Sequence, residues 1–324
     1  GLIADCYPPR RTSAAIMLED LAVEFKNQGH ISIVIIPDAT IDSPITNTVE
    51  KGVQVLRVKV PQIKDIGYMR RILSEIYMPF AILRRLRQNN FLNLELDGVV
   101  WYSPSIFHGP LVNALKKSNK CKGYLILRDI FPEWAVNLGI MSRGLPYKFF
   151  KAVESYQYTI AETIGVQSPS NINYFKKWPA HAHRKIEVLH NWLGDLENAD
   201  CSISIDTGPL AGRKVFVYAG NMGIAQGMDE ILDVIERLDL TRDDIGFIFV
   251  GRGSEVQALR LDAAKRDLSN LLILDEIPHK EISGLYSQCH FGLVFLDTRH
   301  RTHNIPGKFI SYMKNGLPVL ACIN

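Results

Sequence analysis

Little in this chain points to a covalent staple, a metal or a membrane span. Its 324 residues hold five cysteines, Cys6, Cys121, Cys201, Cys289 and Cys322, scattered and without a CxxC pair. That argues against a disulfide scaffold and a zinc site, and fits a reducing compartment. No apolar run is long enough to cross a bilayer, and no secretory leader is visible. No DxD motif occurs; the nearest acidic pairs, Glu95 with Asp97 and Asp195 with Glu197, lie outside the candidate loops. Excess charge is missing too, because a formal +3 is too small to call for a nucleic-acid partner. A starting methionine is absent. The chain opens inside what reads as a strand, Gly1 to Asp5, and ends on another, Leu317 to Ile323, so both ends are expected to be clipped and the last domain truncated.

What is present is the composition of an ordinary globular protein, 47% apolar and 22% charged, in a chain long enough for two domains. Ala14, Leu18, Leu21, Ala22 and Phe25 make a helical stripe behind Thr12 or Ser13 as cap. Strands are expected at 31–36, 53–60, 98–102, 124–127, 164–167 and 185–189. Strands alternating with helices predict an α/β fold with parallel sheets covered on both faces. From Leu193 to Gly212, LGDLENADCSISIDTGPLAG, the periodicity fades and Asp, Asn, Ser and Gly accumulate. We read a first domain over 1–195, a linker over 196–212 and a second domain over 213–324. The second repeats the rhythm, with strands at 215–218, 247–250, 271–274, 291–296 and 317–321.

The stretch Lys214 to Glu230, KVFVYAGNMGIAQGMDE, concentrates the chemistry. A buried strand, Val215 to Tyr218, runs into a loop with Gly220, Gly223 and Gly227, and a helix opens with Asp229 and Glu230 in its first turn. This arrangement receives phosphates, because backbone N–H groups approach the anion and the helix dipole favours its charge. A second loop, Gly251-Arg252-Gly253, follows the next strand, but the third glycine of a dinucleotide fingerprint is replaced by Val256. Asp275 sits where a ribose partner would, which keeps a nicotinamide enzyme open as a minor reading. Lys308, just after Pro306 at a helix start, would set an ammonium beside a diphosphate.

In the first domain Asp129 ends a strand ahead of the helix start Pro132-Glu133. His108 and the Pro8–Arg11 loop are expected at the same sheet edge, where ligands of open parallel sheets lie. On spacing alone, helix capping is the favoured reading of Asp129 and Glu133. His181 and His183 lack Cys or carboxylate partners and do not suggest a metal. The segment 66–91, IGYMRRILSEIYMPFAILRRLRQNNF, interrupted at Pro79, mixes aromatic and aliphatic residues with Arg70, Arg71, Arg84, Arg85 and Arg87 and one acid, Glu75. It suits either a core-packed helix with a solvated basic face or a helix on an anionic membrane surface.

Taken together, AGNMGIAQG, FVGRGSE and NIPGKFISYMKNGLPVLA resemble the group-1 retaining glycosyltransferases of the GT-B fold. YPPRRTSAA, LRDIFPEWAVNLG and VLHNW resemble, among these, the bacterial surface-polysaccharide branch that contains N-acetyl-fucosaminyltransferases. The resemblance covers nearly the whole chain. It implies two Rossmann-like, doubly wound domains with a cleft between them, the nucleotide on the C-terminal one and the acceptor on the N-terminal one. The implied reaction moves an N-acetylated sugar, with retention, from a UDP-sugar to a lipid-linked saccharide or lipopolysaccharide intermediate, as in O-antigen synthesis. A polyprenyl-linked acceptor and a cytoplasmic site, peripheral on the inner face of the cytoplasmic membrane, go with it.

Carried over by position, Asn221, Gly223, Gln226 and Gly227 fall on the donor diphosphate loop, Gly251, Arg252 and Gly253 near the base and ribose, and Lys308 near the diphosphate. Asp129, with His108 second, is expected to orient the acceptor or take its proton. Arg10, Arg11, Glu133 and Asn191 are expected to serve the acceptor or the diphosphate. No metal and no cofactor beyond the nucleotide sugar are expected.

Departures from the family pattern shape this expectation. Many members carry Arg and Lys where this chain has Asn221 and Gln226, and two glutamates where it has His303 and Ser311. Charge on the diphosphate must then meet backbone amides, Lys308 and arginines such as Arg10, Arg11, Arg252 or Arg301, while the ribose contact has no assigned residue. Two other readings share the architecture: another GT-B sugar-nucleotide enzyme such as an epimerase, and a two-domain sugar-binding protein.

Overall fold

The computed structural model describes residues 1–324 apart from 11, 64–65, 177–183, 195–199, 298, 300–304 and 323–324, and gives only the backbone of Tyr68, Met69, Ala225 and Asp229. Arg11, His181, His183, Asp195, Glu197, Arg301 and His303 therefore lie outside the described residues. The chain divides into two compact units, Gly1–His190 and one that begins at Asn191.

The first unit begins β1 (Leu2–Ile3), α1 (Ser13–Asn27), β2 (Ile33–Asp38), β3 (Ile45–Glu50), β4 (Val53–Lys59), α2 (Tyr68–Gln88) and β5 (Gly98–Tyr102). It continues α3 (Gly109–Asn119), β6 (Lys122–Leu127), α4 (Glu133–Asn137), α5 (Leu145–Ile160), β7 (Thr163–Val166), α6 (Pro169–Lys176) and β8 (Lys185–Val188). Its sheet has the order β3-β4-β2-β1-β5-β6-β7-β8, parallel except for β3 against β4. The antiparallel β3 is absent from the sequence-based expectation, since ITNTVE is half-exposed and weakly patterned. The Lys51-Gly52 turn creates it, with φ of 49° and 78° in the left-handed region that a two-residue hairpin loop requires.

Helix α2 runs unbroken through Pro79, which corrects the expected interruption. Met78, Ala81, Ile82 and Leu86 bury its inner face in the core formed by Ile3, Ile35, Leu56, Val99 and Trp101. Burying Met78, Ile82 and Leu86 contributes about 1.5–3 kcal/mol each, which outweighs the roughly 3 kcal/mol that an interior proline costs a helix. Among the described residues no helix is long and apolar enough to cross a membrane.

The second unit runs β9 (Lys214–Ala219), α7 (Asp229–Asp239), β10 (Ile245–Val250), α8 (Val256–Lys265), β11 (Leu271–Leu274), α9 (Ile282–Tyr286), β12 (Phe291–Phe295), α10 (Lys308–Lys314) and β13 (Val319–Cys322). The sheet order is β11-β10-β9-β12-β13, with every pairing parallel. Alternate residues of each strand feed opposite faces, as the pleat dictates. Val215, Val217, Ile248 and Val294 join the cluster beneath Tyr286 and Tyr312, whereas Tyr218, Phe247, Phe249 and Phe295 join the one beneath Leu232, Ile235 and Leu259. Residues 200–212 form no helix or strand but pack on the first of these faces, burying Ile205 and Leu210. Gln288 fastens them, accepting from the Ile205 N–H and donating to the Ile203 carbonyl, both at 2.9 Å.

In each sheet the strand order reverses beside the first strand, β1 between β2 and β5 in one and β9 between β10 and β12 in the other. Such a reversal opens a crevice outside the carboxyl ends of the strands. The candidate residues of each unit stand there.

Candidate functional site

In the second unit the loops after β9, β10 and β12 interlock through their backbones. The Gly220 N–H donates to the Val250 carbonyl and the Met222 N–H to the Arg252 carbonyl, both at 2.8 Å. The Glu255 N–H returns a bond to the Met222 carbonyl at 3.1 Å. A Cβ added at Gly251 would overlap the Gly220 carbonyl, and one added at Gly253 the Met222 carbonyl. These two glycines thus owe their identity to loop meeting loop, not to a dinucleotide. Gly227, at φ 55°, is left-handed and lies against Asp297 after β12.

The first glycine loop holds one element that the sequence reading did not include. A 3₁₀ turn, Ile224–Gln226, lies within it, between Gly223 and Gly227. The long helix starts at position 229, two residues after Gly227 and where the sequence places it. Inside the loop, Gln226 Oε1 accepts from the Gly223 N–H at 2.9 Å and from Asn221 Nδ2 at 3.2 Å. The side chain of Gln226 thereby occupies two donors of the kind an anionic oxygen uses.

The charge faces the loop from α10. Lys308 Nζ lies 4.5 Å from the centre of the Tyr218 ring, a cation–π arrangement, and fills the space beside Gly220. It has no hydrogen-bond acceptor or carboxylate among the described residues. Although Lys308 as a whole is half-buried, its ammonium is enclosed by enough protein that desolvation pulls its pKa down to about 8. Tyr218 also holds the loop, its hydroxyl donating to the Asn221 carbonyl at 2.5 Å.

One turn after Lys308, Tyr312 anchors α10 to the sheet, its ring above Gly292, where a side chain would collide with it. Its hydroxyl lies 3.1 Å from the Val217 carbonyl and 3.2 Å from that of Leu293, and accepts from the Ala219 N–H at 3.3 Å. Asn191 steadies the approach to α10, its Nδ2 donating to the Ile305 carbonyl at 2.8 Å. Arg252 is exposed and pairs with Glu276 at 3.2 Å. Asp275, the ribose candidate of the nicotinamide reading, pairs with Arg260 at 2.8 Å. Tyr312→Phe is expected to leave the buried Ala219 N–H without its acceptor and to cost about 1–2 kcal/mol. Urea denaturation would show the loss.

In the first unit, Asp129 is half-buried directly after β6. Arg128 beside it is buried and turns the other way, donating to the Leu189 carbonyl at 2.7 Å and to that of His190 at 3.4 Å. His108 has no exposed surface. Its Nε2 lies 3.0 Å from Asp5 Oδ1 at the end of β1, off hydrogen-bond alignment. Asp5 is the more accessible member of that pair, and the sequence offered no sign of it because the two residues meet only through sheet order. Arg10 sits on the turn closed by its N–H to the Tyr7 carbonyl, a loop that Arg57 grips at the Pro8 carbonyl. Glu133 accepts from the Tyr147 hydroxyl at 2.7 Å and pairs with Lys151 at 3.1 Å. The structure therefore gathers Asn221, Gly223, Gln226, Gly227, Gly251, Gly253 and Lys308 in one unit, while Glu133 is engaged in a network with α5.

Two Rossmann-like, parallel-rich sheets of this order define the GT-B class. Across 99% of this chain and 80% of its own, the Anabaena protein HepE, solved with UDP and glucose, superposes with a TM-score of 0.63 at 13% identity. Residues 213–323 match the family model described as Glycosyl transferases group 1. Among curated proteins, the chain is 24% identical over 205 residues to the probable glycosyltransferase WbjE of Pseudomonas aeruginosa, covering 62% of this chain and 50% of that one. It is 22% identical over 199 residues to WcaI of Escherichia coli, a putative colanic acid biosynthesis glycosyl transferase, covering 54% and 44%. The chain spans about half the length of these curated relatives.

Proposed function

We propose that the chain is a retaining glycosyltransferase that moves an N-acetylated sugar from a UDP-sugar to a lipid-linked saccharide or lipopolysaccharide intermediate of bacterial surface polysaccharide. The observation that carries this reading is Lys308, an enclosed ammonium with no counter-charge among the described residues, set against the glycine loop after β9. An enclosed cation of this kind favours an anion brought by a ligand. In the reaction the bond from the anomeric carbon to the diphosphate breaks, and negative charge grows on the departing oxygen as the acceptor oxygen bonds to the same face. Lys308 meets that charge. Rotation of Gln226 away from Gly223 and Asn221 would free two more donors for it.

Asp129 orients the acceptor hydroxyl and takes its proton. Metal is not required by this reading, since fixed donors supply the stabilisation. The names of WbjE and WcaI support the polysaccharide setting, and HepE, solved with UDP, supports the donor.

Thermal melting with UDP, GDP, ADP, UDP-linked N-acetylated sugars and NAD, without divalent metal, tests the donor. A ligand at a hundred times its Kd stabilises the folded state by about 2.7 kcal/mol. UDP and its N-acetylated sugars are expected to raise the melting temperature; a rise with NAD alone would overturn the proposal. NMR of the product's anomeric proton tests retention. Asp129→Asn is expected to fold normally and to lower turnover by roughly 10²–10⁴-fold; unchanged turnover would remove Asp129 from the mechanism.

A further inference from the structure

We infer that Glu276, acting as a pair with Arg252, sets which nucleobase the second unit accepts. The pair selects a base edge with a carbonyl beside a ring N–H, as in uracil, and rejects the reversed edge of cytosine. This rests on the proposed nucleotide-sugar donor and adds to it the side chains that tell one base from another.

Strand order fixes how a nucleotide lies along the sheet edge. The order β11-β10-β9-β12 puts the glycine loop after β9, with Lys308 beside it, on one side and the loops after β10 and β11 on the other. Backbone bonds join the three loops in a row. The Met222 N–H donates to the Arg252 carbonyl at 2.8 Å, and the Gly251 N–H to the Leu274 carbonyl at 3.2 Å. Two strand spacings, roughly 10 Å, separate the ends of β9 and β11, a length that a nucleoside diphosphate covers. With its diphosphate at Lys308, the base falls on the loops that carry Arg252 and Glu276.

The two side chains meet across those loops. Arg252 Nε lies 3.2 Å from Glu276 Oε2, with the side chains 56% and 35% exposed. An ion pair this exposed adds little to stability. It also leaves hydrogen-bonding capacity over, since no bond among the described residues engages the terminal guanidinium nitrogens of Arg252 or Oε1 of Glu276. The neighbouring acid differs. Asp275 is held by Arg260 at 2.8 Å, so Glu276 is the carboxylate of that loop left to a ligand.

A guanidinium beside a carboxylate offers donors next to an acceptor. Uracil carries the complement: its C4 carbonyl accepts from Arg252 while its N3–H donates to Glu276. Cytosine reverses both groups, setting an amino group against the guanidinium and a bare ring nitrogen against the carboxylate, so that neither bond forms. Adenine repeats the order of cytosine. Guanine repeats the order of uracil on a larger ring, so the shared chemistry is the lactam edge, and size separates its two sources.

Calorimetry of the full chain with UDP, CDP, GDP and ADP tests this. Wild type is expected to bind UDP about tenfold or more tighter than CDP, the difference that a hydrogen bond to a charged group supplies. Arg252→Gln is expected to weaken UDP binding by a similar factor. Glu276→Gln brings an amide N–H that cytosine N3 can accept, so CDP affinity should rise as UDP affinity falls, a gain that damage to the fold cannot produce. Both side chains are exposed, and melting without nucleotide should be unchanged in either variant. Tight GDP with weak UDP would keep the edge reading and give the seat to guanine. Equal affinity of wild type for UDP and CDP overturns the inference, as does a Glu276→Gln variant with the wild-type preference; both leave the transferase proposal standing. Wild type that binds none of the four refutes the transferase proposal and this inference with it.

Discussion

Lys308→Met is expected to abolish the melting shift caused by UDP-sugars and to reduce turnover by about 10²–10³-fold, the range seen when one fixed donor to a developing oxyanion is removed. Folding should survive. Methionine fills similar space beside Gly220 and over the Tyr218 ring, and it relieves the desolvation that pulls the ammonium's pKa down to about 8. In the unfolded chain a lysine titrates near 10.4, so between these values the unfolded state binds the extra proton. Stability from this group therefore rises with pH across that window, and below it the enclosed charge is a net cost. Near neutral pH the methionine variant should consequently be no less stable than the wild type.

Ligand binding carries the opposite sign. A diphosphate pairs with the protonated amine, so above pH 8 binding must also take up a proton, and affinity for a UDP-sugar should fall about tenfold from pH 7 to pH 9. Calorimetry across that range checks it. A flat profile in wild type would remove Lys308 from the donor site, whereas a slope in wild type that vanishes in Lys308→Met would place it there. Lys308→Arg is not expected to restore binding, because the planar fork is larger than the space between Gly220 and Tyr218.

How much of this was legible in the sequence differs from residue to residue. Strand–helix alternation is a local signal, and the parallel sheets follow from it almost element by element; Leu271–Leu274 and the strand beginning at Val53 show how clearly an apolar run can mark a strand. The strand Ile45–Glu50 escaped notice because a half-exposed edge needs little hydrophobic pattern. Lys308 and the glycine loops could be picked out as candidates, since spacing and motif point to them. Tyr218 could not, because its pairing with Lys308 joins residues far apart in sequence, through strand order that no local pattern encodes. Asp5 and His108 meet for the same reason, across β1 and β5. The helix opens at position 229, where the reading placed it, whereas the short turn Ile224–Gln226 inside the glycine loop left no periodic signal to find.

Gly253→Ala should destabilise the second unit by about 3 kcal/mol or more, because overlap with a backbone atom admits no rotamer escape. The new Cβ would fall on the Met222 carbonyl, which already accepts from the Glu255 N–H. Relief demands that the loop after β9 or the loop after β10 withdraw, breaking the bond from the Met222 N–H to the Arg252 carbonyl. Gly251→Ala meets the same obstacle at the Gly220 carbonyl, beside Lys308. Gly227→Ala provides the contrast. It faces a left-handed φ of 55° and a Cβ 3.1 Å from the Asp297 Cα, so a loss of about 1–2 kcal/mol is expected. Urea unfolding of the three variants, each with and without UDP, separates the causes. If Gly253→Ala unfolds like wild type but no longer responds to UDP, the glycine serves ligand approach and the interlocked loops are not what requires it. If stability and UDP response fall together, the two glycine loops form one structural unit, and their likeness to a dinucleotide fingerprint follows from that packing alone.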